Sequence, residues 1–195
     1  MESHPVGVGA SLVVVAEQFS KARIVLRHHG SAVVSQNVEF SIADSANITV
    51  VSLQEWEDEG TVHASAQHVS LGRDSRFKHV VVSLGGDTVR VTPSVRFRAP
   101  GADVEMYGLT FVDDGQHLES RLFVDHSQPN CRSRVTYKSA LQGEGAHAGE
   151  VGGDVLATQT LEHDAGGRRG EERPDRPGDD AGKPRGGAAA RGRSA

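Results

Sequence analysis

Residues 103–147 alternate apolar and polar side chains in short bursts, and turn-forming residues at 113–115 and 128–130 separate these bursts. Alternation with a period of two residues is typical of β-strands that bury one face. The segment lacks the apolar spacing of a long helix, so it predicts β-structure wound through short turns. The apolar members of the bursts are Val104, Met106, Leu109, Phe111, Leu118, Leu122, Phe123, Val124, Val135 and Tyr137.

The same alternation extends through most of the preceding chain. Turn clusters near Asp74, Gly85, Pro100 and Asp114 recur about every 11 to 15 residues, a spacing compatible with a sandwich, a barrel or the rungs of a solenoid. Spacing alone leaves these three open. The chain has no strict repeat, which excludes a regular hexapeptide helix but leaves an irregular parallel β-helix possible.

Individual segments give more specific expectations. Residues 12–15 predict a strand, and Gly85 with Gly86 predicts a tight turn that needs positive φ. We expect Pro93 to break its strand or to place it at a sheet edge. In the strand at 61–71 the apolar residues are Val62, Ala64, Ala66 and Val69. The acidic run at 57–60 is expected to be a solvated loop without a structural task.

Composition limits the function. With 195 residues the chain fits one domain of ordinary size. Its net charge is -5, although residues 165–195 contain eight Lys/Arg against five acids. The rest of the chain is therefore acidic, which argues against a nucleic-acid partner. One cysteine excludes a disulfide framework and suits a reducing compartment. The start lacks a signal peptide or membrane span, so we expect a cytoplasmic protein that binds no membrane.

Ten histidines raise the possibility of a metal site, and the nearest approach to a cluster is His126 with Cys131. Neither a Cys-x-x-Cys nor a His-x-x-x-His pair accompanies them. Strand alternation places His63 and His68 on opposite faces. We favour the interpretation that the histidines lie on solvated strand faces and turns. Cys131 is interpreted as a small packed residue, although Arg132 and Arg134 are nearby. No metal, catalytic or cofactor-binding residue is therefore assigned.

Several stretches in fixed order resemble the SufB/SufD family, most closely its SufD branch from high-GC Gram-positive bacteria. The resemblance covers about residues 20–147, and its specificity comes from this succession rather than from any catalytic signature. It implies an all-β fold, a right-handed parallel β-helix. The stretches are VSLQEW at 51–56, SLGG at 83–86, VTP at 91–93, GQHLE at 115–119, RLFVDH at 121–126, SRV at 133–135 and ALQG at 140–143.

The resemblance also implies a function. Members of the family are non-enzymatic scaffolds of the SUF pathway of iron-sulfur cluster assembly, in which SufD pairs with SufB and each binds the ATPase SufC. A transient Fe-S cluster forms in that complex. The SufD histidine thought to hold it lies beyond the part of this chain that resembles the family, so no cluster ligand is carried over. The helices that dock SufC would also be missing, so we expect weak SufC binding.

The composition changes sharply at residue 148. From there Gly, Ala, Arg, Asp and Pro dominate, and too few apolar residues remain to offset about 1–2 kcal/mol of ordering entropy per residue. We therefore expect a lead-in at 1–20, a β-helix core at 21–147 and a disordered tail at 148–195. A truncated or frameshifted reading after about residue 147 would explain the tail, and the chain would then be a non-functional copy.

The alternative is a small metal-dependent β-barrel enzyme of the cupin type. Such barrels place two histidines one residue apart on a strand, and this sequence contains no His-x-His.

Overall fold

The computed structural model describes residues 7–143, 146–153 and 157–163, and side chains are described for 7–143. Every element in this part of the chain is a β-strand, which confirms the all-β prediction. The strands are β1 (Gly7–Ala16), β2 (Lys21–Gly30), β3 (Val33–Ile42), β4 (Asn47–Trp56), β5 (Val62–Leu71), β6 (Arg76–Leu84), β7 (Thr88–Phe97), β8 (Asp103–Val112), β9 (His117–Asp125), β10 (Arg132–Leu141), β11 (Ala146–Gly153) and β12 (Ala157–His163).

Consecutive strands alternate between two sheets. Sheet A has the order β1-β3-β5-β7-β9-β11, and sheet B has the order β12-β10-β8-β6-β4-β2. All neighbours in both sheets are parallel. Each turn of the chain adds one strand to each sheet. Partners one turn apart differ by 26 to 29 positions up to β11, as in Gln54 with His28 and Ser65 with Gln36, and by 22 positions between β10 and β12, as in Val135 with Ala157. The fold is a parallel β-helix, as predicted.

The parallel ladders also decide against the cupin alternative. A cupin barrel consists of antiparallel strands from two Greek keys, whereas each strand here pairs with the strand one turn away in the same direction. That alternative is wrong for the described part of the chain.

The predicted turns lie where the strands end. Residues 43–46 connect β3 to β4, and 113–116 connect β8 to β9. Gly85 and Gly86 have φ of 81° and 89°, and a Cβ on Gly85 would stand 2.2 Å from the carbonyl oxygen of Trp56. Glycine is therefore required at this turn both by the backbone conformation and by the close approach of the previous turn.

The interior lies between the inward faces of the two sheets. At one end of the strands it is a continuous apolar core, and fully burying each large apolar side chain contributes about 1.5–3 kcal/mol. Trp56 is 9% exposed and belongs to a second, smaller cluster. The larger core includes Val38, Phe40, Ile42, Ile48, Val50, Phe77, Val95, Phe97, Val104 and Met106.

The expectation for Pro93 is wrong. Strand β7 is continuous and lies between β5 and β9 inside sheet A. Pro93 stands opposite Gln67 on β5, but the register with β9 runs only to Val91 and resumes at Ser94. Proline has no N–H to donate, and the sheet accommodates it by omitting this part of one ladder.

The acidic loop at 57–60 is also more than a solvated connection. The carboxylate of Asp58 accepts hydrogen bonds from the backbone N–H of Gly86, at 2.9 Å, and from Nε2 of Gln116, at 2.8 Å. Asp87 in turn accepts from the backbone N–H groups of Gly60 and Thr61. These carboxylates join turns that lie above one another in the stack.

Strand β12 and most of β11 lie within the segment from residue 148 onward that was predicted to be disordered. They extend sheet A and sheet B by one strand each, so regular structure continues to His163. Residues 164–195 lie outside the described residues, and so does that part of the prediction. Among the described residues, no helix has the length and apolar character that crossing a bilayer requires.

Candidate functional site

The two weak candidates from the sequence, His126 and Cys131, line the same groove at the ends of β9 and β10. This groove has a volume of about 430 Å³, and Asp103, Glu105 and Arg134 also line it. The ring of His126 packs at a tilt against Phe97, with the ring centroids 4.8 Å apart, and its Nε2 is 2.8 Å from Oγ of Ser133. The structure therefore brings the two candidates into one groove and gives His126 a hydrogen-bond partner.

Cys131 is half-buried and packs against the main core. Its Sγ lies 3.5 Å from the carbonyl oxygen of Ala99 and 3.7 Å from that of Pro129, so the thiol donates to backbone carbonyls. Within the described residues, no group of three His, Cys, Asp or Glu side chains could hold a metal ion. A cluster-binding role for His126 or Cys131 stays a prediction.

The most unusual feature of the interior is polar. On β5 the buried polar side chains are His63, Ser65 and Gln67, whereas Val62 and Ala64 face outward. Strand alternation therefore runs in the opposite sense from the one that the apolar residues suggested. The signal was present at the end of the strand, because Val69 and Leu71 are buried and share the alternation of His63 rather than that of Val62.

A chain of hydrogen bonds crosses the interior from sheet B to sheet A. Nε1 of Trp56 donates to Oε1 of Gln54 at 2.9 Å, and Nε2 of Gln54 donates to Nδ1 of His28 at 3.1 Å. Because Nδ1 of His28 accepts, its Nε2 carries the hydrogen and donates to Oε1 of Gln36 at 3.0 Å. Ser65 contacts the same Gln36 oxygen at 3.4 Å. This network ties the two sheets together across the first turns.

His63 packs beside this network without joining it. Its ring lies 5.0 Å from the rings of both His28 and Trp56. Burial first, and then the neighbouring His28, lowers the pKa of His63 to about 4. Neither ring nitrogen has a hydrogen-bond partner among the described residues. His63 is therefore neutral at pH 7.

His79 on β6 has a similar environment. Its ring lies 6.0 Å from that of Phe77 and 6.5 Å from that of Phe40. Burial lowers its pKa to about 4, and neither of its ring nitrogens has a partner in residues 7–143. The expectation that histidines lie on solvated faces is thus wrong for His63 and His79. It holds for His68, which is exposed on the opposite face from His63, as predicted.

Chemically, this arrangement favours a structural role. Neutral imidazoles could accept protons, but the neighbours of His63 and His79 are aromatic rings. No oriented base–nucleophile pair of the kind that covalent catalysis needs is formed among these contacts. The polar interior connects and registers the two sheets, and the acidic and basic side chains lie on the outer faces.

The family described as "SUF system FeS cluster assembly, SufBD core domain" matches residues 2–157. This chain belongs to the SufBD family. The match extends ten residues beyond residue 147, where the resemblance had been expected to end, and it includes all of β11.

Curated relatives agree. An iron-sulfur cluster assembly SufBD family protein of Mycobacterium leprae is 51% identical over 127 residues, which are 65% of this chain and 32% of the relative. Proteins of the same description from Mycobacterium bovis and Mycobacterium tuberculosis are 50% identical over 135 residues, or 69% of this chain and 34% of theirs. The chain thus spans about a third of the length of these SufBD relatives. No solved structure matches it.

Proposed function

We propose that this SufBD chain is a non-enzymatic scaffold subunit of the SUF iron-sulfur cluster assembly system in the cytoplasm. The observation that carries the proposal is the family match over residues 2–157, which takes in almost the whole described β-helix. The relatives are named for iron-sulfur cluster assembly. In this function the Fe-S cluster is cargo that the assembled complex builds and passes on.

The proposed partners are a SufB-like protein and a SufC-like ATPase. A solenoid needs caps because its terminal turns lack a neighbour on one side. In the first turn, Leu12, Val14, Ile24 and Leu26 pack on the core but remain only partly buried. Among the described strands, β1 and β2 each form one edge of their sheet, and β11 and β12 form the other edges. Such edges favour pairing with another chain. These features support a partner subunit.

Coexpression with the SufB-like and SufC-like proteins of the same genome tests this proposal. We expect the tagged 195-residue chain to retain the SufB-like protein through size-exclusion chromatography, and to retain the SufC-like protein weakly when SufB is absent. The full-length relative from Mycobacterium tuberculosis serves as the control. If that relative forms the complex while this chain, folded by circular dichroism, elutes alone, the scaffold proposal fails.

A further inference from the structure

The outer face of sheet B carries apolar side chains in register across four strands. Val25, Val51, Val80 and Tyr107 form one row, and the next row contains Leu53, Val82 and Leu109. Leu84 and Phe111 stand side by side in the row beyond. We call these nine residues the apolar face. The sequence pattern had grouped Leu109 and Phe111 with Val104 and Met106, but these two pairs lie on opposite faces of β8.

Much of this apolar face is open to solvent. Val25 is 63% exposed, Leu109 49%, Phe111 42% and Leu84 40%. Parallel sheets normally have both faces covered, and contiguous apolar patches on a protein surface mark interaction sites. The apolar face therefore has the character of a surface that another element covers.

The outer face of sheet A is different. Its exposed Val13 and Phe123 belong to one row, but Glu39, His68 and Ser94 lie between them. The charged pair of Arg96 with Asp125 occupies a neighbouring row. Apolar side chains on sheet A are thus scattered, so the continuous apolar rows are a property of sheet B.

A band of cations borders the apolar face at the beginning of the same strands. Its cations, which we call the basic band, are Lys21, Arg23, Arg76, Lys78, Arg132 and Arg134. Asp103 and Glu105 on β8 are the two acids within this band. A groove of about 680 Å³ lies along it, with Asn47 and Thr49 between the cations of β2 and those of β6.

The acids neutralise only part of the basic band. Glu105 lies 2.6 Å from Nζ of Lys78 and 3.3 Å from Arg134. Within residues 7–143, Lys21, Arg23 and Arg76 have no ion-pair partner. The groove thus holds four cations against two acids, and three of these cations make no ion pair within the described residues, so a negatively charged ligand group would be attracted there.

Two possible occupants fit this surface poorly. Residues 165–195 of the chain carry eight Lys/Arg against five acids and no large aliphatic side chain, so the basic band would repel them and the apolar face would gain nothing. A second copy would present the same face. A twofold contact could join apolar rows to apolar rows, but it would bring no acidic partner to Lys21, Arg23 and Arg76, because the face is basic in both copies.

We propose that the apolar face and basic band of sheet B form a docking surface for an amphipathic protein segment with an acidic flank. The apolar side of the segment covers Val80, Val82 and Leu109, and its carboxylates lie in the groove beside Arg23 and Arg76. Burial of the apolar rows supplies the affinity, and the cations set the orientation of the segment. The surface is independent of whether the chain acts in iron-sulfur cluster assembly.

Binding of synthetic helices to the full chain tests this inference. The probe is a fluorescent helix of about five turns with leucines on one side and glutamates along the flank. One matched peptide replaces each Glu with Lys, and another scrambles the acidic sequence so that its apolar side is lost. By fluorescence anisotropy we expect the acidic amphipathic peptide to bind about tenfold more tightly than either matched peptide. Added salt should weaken that binding.

Variants locate the site. Val82→Thr with Leu109→Thr keeps β-forming side chains, and Arg23→Glu with Arg76→Glu reverses the charge. Each pair should weaken binding about tenfold. Phe123→Ser on sheet A and Arg73→Glu in a turn should leave binding unchanged, and circular dichroism verifies that each variant folds. Equal binding of the acidic and basic peptides, binding that survives both variant pairs, or capture of anionic phospholipid vesicles without peptide binding would overturn the proposal.

Discussion

The ring of Tyr137 on β10 fills the space above Gly108 on β8, where a Cβ would stand 2.1 Å from Cδ1 of the tyrosine. The tyrosine ring of the neighbouring strand thus occupies the space that a side chain at Gly108 would need. We expect Gly108→Ala to lower the free energy of unfolding in urea. Overpacking costs about 1–3 kcal/mol, which outweighs the gain of about 0.4–1 kcal/mol from a stiffer unfolded chain.

A double-mutant cycle isolates this contact. In a Tyr137→Leu background the ring is gone, so adding Gly108→Ala should cost little, and the two changes should be non-additive. Gly9→Ala is the matched control, since nothing lies within 4 Å of a Cβ at Gly9. Equal destabilisation by Gly108→Ala in both backgrounds would show that the ring is not the obstacle.

Acid should destabilise the fold through its two buried histidines. Burial lowers the pKa of His63 and of His79 from 6.5 to about 4, so between these values the unfolded chain binds protons that the folded chain excludes. Stability from this source is complete above pH 6.5, falls as the pH drops towards 4, and is constant below. Each pH unit in that window costs up to about 1.4 kcal/mol per histidine.

Urea denaturation at pH 7 and pH 5 measures this effect. His79→Met should reduce the loss on acidification because an apolar side chain replaces an imidazole that packs against Phe40 and Phe77. His117→Gln is the control, since His117 is exposed. An unchanged difference between pH 7 and pH 5 in His79→Met would assign the acid sensitivity to other groups.

Asp87 should stabilise the stack of turns. Its carboxylate accepts from the backbone N–H of Gly60 at 2.6 Å and of Thr61 at 2.8 Å, and hydrogen bonds to a charged acceptor are worth about 1.5–3 kcal/mol. We expect Asp87→Ala to lower the urea midpoint and to speed amide exchange at Gly60 and Thr61. Glu57→Gln, in the loop that contains Gly60, should change neither quantity, and an equal effect of both substitutions would refute the assignment.

The strands and turns could be predicted from sequence because alternation and turn chemistry are local. The turn at Gly85 illustrates this, since its glycine is required by a backbone conformation that the sequence signals directly. The choice of a β-helix came from the family resemblance, because a sandwich or barrel has the same local spacing. The parallel register then followed from the fold and not from any residue pattern.

Which side of an individual strand faces the interior was harder to predict. Val62 and Ala64 suggested one buried face on β5. Instead, Ser65 lies in the interior, where it contacts Gln36, and His63 packs there against the rings of His28 and Trp56. Leu109 likewise lies on the outer face of sheet B, a sheet that carries apolar side chains on both of its faces. Hydrophobicity no longer identifies the inward side when polar groups have partners inside and apolar groups cover an outer face.

Glu119 provides a last comparison between a buried and an exposed ion pair. It is 9% exposed, and Arg90 donates to both of its oxygens, at 2.6 and 3.1 Å, while Arg121 also contacts it. These hydrogen bonds, that of Arg90 first, lower the pKa of Glu119. The stability that they give is therefore present above the ordinary pKa of a glutamate and is lost as the pH falls through the lowered value.

We expect Arg90→Ala to raise the pKa of Glu119 and to lower the urea midpoint at pH 7, because a buried carboxylate then loses two of its donors. The control is Arg96→Ala, whose exposed guanidinium lies 3.9 Å from Asp125, an arrangement that contributes little in water. NMR titration of the Glu119 carboxyl carbon measures the first effect, and urea denaturation measures the second. If the two arginine variants lower the midpoint equally, burial of Glu119 gives its ion pair no added strength.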